Sequence, residues 1–116
     1  MKWKHKSNYN QSVRKWQKAI EMLENKEDVC SDVRNFVMDL CGFCAESVGM
    51  PFKDVTASPN CEVCPLYPTH CNMYKFDKHG GLATFWQIDE ALKNNDRTTA
   101  LIESKNLLVA IKSYAP

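Results

Sequence analysis

Apolar residues recur along most of this chain at intervals of three and four, the spacing that gathers side chains on one face of a helix. Val13, Trp16, Ile20 and Leu23 make the first stripe, with Arg14, Lys15, Lys18 and Glu21 on the opposite face. They predict a helix over residues 10–25, with Asn10 or Ser12 as its cap and Asn25 at its stop. Val29, Val33, Phe36, Val37 and Leu40 make a second stripe, predicting a helix from about Asp28 or Ser31 to Leu40. Cys30 falls near the side of Val33 and Val37 and reads as a small core residue, a common fate of cysteine.

Periodicity then fails. Residues 49–71 contain Gly49, Pro51, Pro59, Pro65 and Pro68 and no sustained repeat, the signature of a loop. Beyond Gly80-Gly81, Thr84-x-x-Gln87 has the form of a capping box, with Phe85, Trp86, Ile88 and Leu92 as the apolar positions of a third helix. Asn94-Asn95-Asp96 interrupts the pattern. Asp96 is placed to cap a fourth helix running through Ala115, whose stripe is Leu101, Leu107, Leu108, Ile111 and Tyr114. No segment alternates like a strand, although a short hairpin beside the cysteines is compatible with the sequence. The expected fold class is mainly α: a small helical domain of about four helices around a central Cys-rich loop.

At 116 residues the chain is read as one domain, 1–116, long enough for a modest core without disulfides. No apolar run approaches the roughly 18 residues of a membrane span, so no membrane partner is expected. The charged start, Met1 to Lys6, is followed by polar residues from Ser7 to Gln11 where a signal peptide would turn apolar. The expectation is therefore a cytoplasmic, intracellular protein with reduced thiols, with the even cysteine count keeping three disulfides open.

The overall charge of +1 conceals an asymmetry. Residues 1–20 carry Lys2, Lys4, Lys6, Arg14, Lys15 and Lys18 and no carboxylate, whereas the rest has nine basic and fourteen acidic groups, a net of −5. These six cations, with Trp3, Tyr9 and Trp16 among them, form a candidate nucleic-acid surface with residues 1–9 as a basic arm. The competing reading is a solvated arm leading into an amphipathic helix with a basic outer face.

Five of the six cysteines lie within 41–71, as Cys41-Gly-Phe-Cys44, Cys61-Glu-Val-Cys64 and Cys71. Two residues between paired cysteines let both thiolates reach one ion at about 2.3 Å, so two such pairs match a closed tetrathiolate zinc site. Cys41 and Cys44 are expected on the inward face where the second helix ends, with Gly42 allowing a tight turn between them. The simplest quartet is Cys41, Cys44, Cys61 and Cys64, while Cys71, His70 or His79 are substitutes for one member. A 4Fe-4S cluster is the competitor, since four thiolates and the Cys64-Pro65 step suit it, although the Cys-x-x-Cys-x-x-Cys run of bacterial ferredoxins is missing. A redox dithiol at Cys41 and Cys44 fits poorly, because that motif opens a helix after a strand.

Enzymatic signatures are missing too: there is no Ser-centred elbow, His-Glu-x-x-His or phosphate loop. Asp89-Glu90 and Glu27-Asp28 are adjacent carboxylates of the kind usually solvated. The residues thus point to binding, of a protein or a nucleic acid, rather than to catalysis or a small-molecule substrate.

The run Cys61-Glu-Val-Cys64-Pro-Leu-Tyr-Pro-Thr-His-Cys71, preceded by Cys41-x-x-Cys44, resembles small cysteine-rich proteins of phages, other mobile elements and some prokaryotes, mostly without assigned function. The likeness covers residues 41–71; outside them it amounts to a helix before, as in Trp16-x-x-Ala19-Ile20-x-x-Leu23, and helices after. It implies a viral or mobile-element accessory role and no particular activity.

Overall fold

A computed structural model describes residues 5–25, 29–38, 42–50, 66, 69–71 and 83–114. Among these the architecture is helical throughout: α1 (Lys6–Glu24), α2 (Cys30–Val37), α3 (Gly42–Ser47), α4 (Thr84–Lys93) and α5 (Arg97–Lys112). The four longer helices are those that periodicity predicts, and the fold class is mainly α as expected. α3 is the addition, a short helix where the sequence suggests only a turn.

α1 lies centrally, packing against α5, α3 and α2, while α4 packs on α5 and α2. Trp16, Leu23, Val33, Val37, Ile88, Leu92, Leu107 and Ile111 meet in the core, each at most 2% exposed. Ala19 and Ala100 are fully buried on α1 and α5, small residues that let these helices approach closely. Cys30 is buried in the same cluster, in agreement with its reading as core.

Each boundary has a local cause. Asp96 caps α5 by accepting from the Thr99 amide at 3.1 Å, as its sequence position predicts. Asn95 stands at φ 56°, the left-handed conformation that asparagine tolerates, which lets the chain reverse between α4 and α5. At the far end of α1, the Arg97 Nη1 donates to the Leu23 and Met22 carbonyls at 2.8 and 3.2 Å. The first turn of α5 thereby supplies a cation to the carbonyl end of α1.

Several expectations fail for tertiary reasons. α1 begins at Lys6 rather than near Asn10, because its inward stripe continues through Ser12 and Asn8, both 0% exposed. Val29 precedes α2 instead of joining its buried stripe and is 53% exposed. The capping box does not form: Ala83 is the cap residue, and Thr84 enters the helix with its hydroxyl directed elsewhere. Asp89 is not solvated but 1% exposed, bridging Arg34 Nε at 2.6 Å and Lys93 Nζ at 3.3 Å. Its carboxylate ties α2 to α4, with charge and hydrogen bonding compensating for burial.

Candidate metal centre

The first cysteine pair is positioned by α3, and α3 is anchored to α1 by polar groups. The Gly42 amide donates to Gln11 Oε1 at 2.6 Å and the Phe43 amide to Ser12 Oγ at 3.1 Å. These are N–H groups that a helix start leaves without an internal partner, and here side chains of another helix satisfy them. Ser12 Oγ in turn donates to the Asn8 carbonyl at 3.1 Å. Further along α3, Glu46 Oε1 accepts from Asn8 Nδ2 at 2.9 Å, and the same amide nitrogen donates to the Met50 carbonyl at 2.8 Å.

Gly42 makes this approach possible. A Cβ on it would stand 2.6 Å from the Asn8 carbonyl carbon and 2.8 Å from Ser12 Oγ, inside van der Waals contact. The glycine is thus required for helix proximity, not for the tight turn read from the sequence. Phe43, between the two thiols, takes the inward position at 1% exposure and meets Tyr114 edge-on at 6.5 Å. Cys44 consequently remains half-buried instead of facing fully inward. The Ser47 hydroxyl donates to its carbonyl at 2.6 Å, which fixes the backbone that carries the thiol.

Cys71 is held by a separate device. The Leu66 carbonyl accepts from the His70 amide at 2.8 Å and the Cys71 amide at 3.0 Å, while the Leu66 side chain is 3% exposed in the core. Thr69 and His70 are fastened to the start of α4, the Thr84 amide donating to the Thr69 carbonyl at 3.0 Å and the Phe85 amide to the His70 carbonyl at 2.8 Å. Cys71 is half-buried and packs against the core.

His70 is held by the same turn. Thr84 Oγ1 lies 3.0 Å from His70 Nδ1 and 3.4 Å from the Thr69 carbonyl, so one hydroxyl ties the imidazole edge and the turn to the start of α4.

Cys41, Cys61, Cys64 and His79 lie outside the described residues, as do Lys2 and Lys4 of the basic arm. Among the described residues, no three His, Cys, Asp or Glu side chains converge on one point. No family model, curated protein or solved structure matches this chain.

The basic surface is narrower than the sequence suggests. Lys6, Arg14 and Lys18 are exposed along α1. Lys15 is only 6% exposed, with Nζ 5.7 Å from the Trp16 ring centroid. Its aliphatic stem extends the buried stripe while the ammonium stays over the aromatic face. Trp16 belongs to the core and is not available to stack on a base.

Sequence reasoning missed Asn8, Gln11, Ser12 and Glu46. A signal existed for two of them, since Asn8 and Ser12 continue the Trp16, Ala19 and Leu23 stripe by steps of four. Polar residues in register with a buried stripe are candidates for an internal network, but only the position of α3 reveals their partners.

Proposed function

We propose that this chain is a binding module in which four of Cys41, Cys44, Cys61, Cys64 and Cys71 hold one structural zinc ion. The observation that carries the reading is the pair of Cys-x-x-Cys spacings, Cys41–Cys44 and Cys61–Cys64, separated by about sixteen residues. It is supported by the half-buried positions of Cys44 and Cys71, each on an anchored segment. Four thiolates leave no open coordination position, so the metal's contribution is to fold and shape, not to chemistry. An intracellular compartment suits this reading, because thiols stay reduced and available to a metal there.

The bound partner is a protein or a nucleic acid, as suits an accessory protein of a virus or mobile element. For a nucleic acid, the contact surface is the exposed face of α1 with Lys6, Arg14 and Lys18, extended by Lys2 and Lys4. Lys15 and Trp16 are no longer part of that surface.

Elemental analysis and visible absorption of protein purified with and without oxygen test the metal assignment. The expected result is a colourless protein that retains at least one zinc per chain, and a Cys61→Ser variant with less metal and a lower Tm. A brown protein carrying iron and sulfide would replace zinc by a 4Fe-4S cluster. Metal-free protein with every cysteine oxidised would remove the metal reading altogether.

A further inference from the structure

Among the described residues, two buried polar atoms without a hydrogen-bond partner lie near one buried carboxylate where α1 begins. They are Asn8 Oδ1 and His5 Nδ1. Asn8 is 0% exposed, and the Glu46 side chain between them is 2% exposed. Buried polar groups are nearly always satisfied, so such a pair calls for an ion or a water.

The Asn8 amide cannot be reversed to cure this. Its nitrogen donates to Glu46 Oε1 and to the Met50 carbonyl, both acceptors, so Oδ1 is the atom left over. Because the two ends of a carboxamide are about 2.3 Å apart, Oδ1 lies within about 5 Å of Glu46 Oε1. His5 Nδ1 stands 3.5 Å from the same oxygen, an ion-pair contact when the imidazole is protonated and no hydrogen bond when it is neutral. The site therefore gathers an anionic oxygen, an amide oxygen and an imidazole nitrogen, three atoms that can all receive a positive charge.

We propose that His5 Nδ1 and Glu46 bind a divalent zinc-type cation, with Asn8 Oδ1 accepting a hydrogen bond from a water on that ion. An imidazole nitrogen among the ligands favours zinc over magnesium or calcium, which take oxygen ligands. The His5 side chain is 30% exposed and gives the ion a route in from solvent. With two protein ligands and water, the site is open, in contrast to a closed thiolate cluster, and it does not depend on the cysteine reading.

Zinc added to the full chain tests the proposal, with the His5 imidazole and Asn8 side-chain amide signals followed by NMR. Both signals should shift saturably. In His5→Ala and Glu46→Gln the affinity read from the Asn8 amide should fall about tenfold or more, with the number of zinc-protected thiols unchanged. Glu46→Gln keeps an oxygen for the Asn8 amide, so it removes the charge and spares the packing. Signals unmoved at millimolar zinc would overturn the proposal. So would shifts that persist in both variants. Loss of thiol protection alone would count against the cysteine centre and leave this site standing.

Discussion

Gly42→Ala separates two physical effects that have opposite signs. Gly42 is the first residue of α3, and alanine there improves helix propensity, which by itself stabilises by at most about 1 kcal/mol. The new methyl, however, would stand 2.6 Å from the Asn8 carbonyl carbon, where comfortable carbon contacts begin near 3.5 Å. The Asn8 carbonyl oxygen stands closer still and sets the larger demand, so α3 must retreat from α1 by more than about 1 Å. Such a shift lengthens the Gly42–Gln11 and Phe43–Ser12 hydrogen bonds, now 2.6 and 3.1 Å, each contributing about 1 kcal/mol. It also disturbs the packing of Phe43, and overpacking of this kind costs about 1–3 kcal/mol. Set against the propensity gain, the net expectation is a destabilisation of about 2–3 kcal/mol, or roughly 10 °C in Tm. Urea unfolding followed by far-UV circular dichroism measures this as a lower midpoint with an unchanged slope. A variant as stable as the parent, or more stable, would show that α3 is not seated on α1 through this glycine.

Other consequences follow from particular side chains. Ser104 is fully buried in α5 with an Oγ that has no hydrogen-bond partner, so Ser104→Ala should be neutral or stabilising by up to about 1 kcal/mol; a clear loss in thermal melts would refute this. Asp89→Ala removes the carboxylate joining Arg34 and Lys93; because both cations are partly exposed and rehydrate, the expected loss is about 2 kcal/mol, measured by chemical unfolding. The Asp96 carboxyl is held below its ordinary 3.8 by hydrogen bonds from the Thr99 side chain and then the Thr99 amide. Its folded pKa being depressed, the stabilisation is present above that ordinary value and disappears as pH falls through the lower folded one. Tm measured from neutral pH to pH 2 should therefore show an acid-dependent component that Asp96→Asn lacks, since asparagine caps without titrating.

Local pattern determined the helices. Steps of three and four in Val13 to Leu23, Val33 to Val37, Phe85 to Leu92 and Leu101 to Tyr114 mark segments that must bury one face, whatever they pack against. Asp96 was legible as a cap because its partner, the Thr99 amide, is three residues away. The cysteine spacing was equally legible as a candidate ligand set, since ligand geometry within each pair is a local matter.

What only the tertiary structure decided is which polar residues go inside. Asn8 meets Glu46 across 38 positions and Arg34 meets Asp89 across 55, and no periodicity on either segment names the other. The same holds for Thr84, whose capping box was overridden by contacts with Thr69 and His70, and for Gly42, whose missing side chain makes room for the Asn8 carbonyl. An apolar side chain needs only to leave water, so its pattern suffices. A buried polar atom needs one particular partner at hydrogen-bonding distance, and that partner is supplied by the fold.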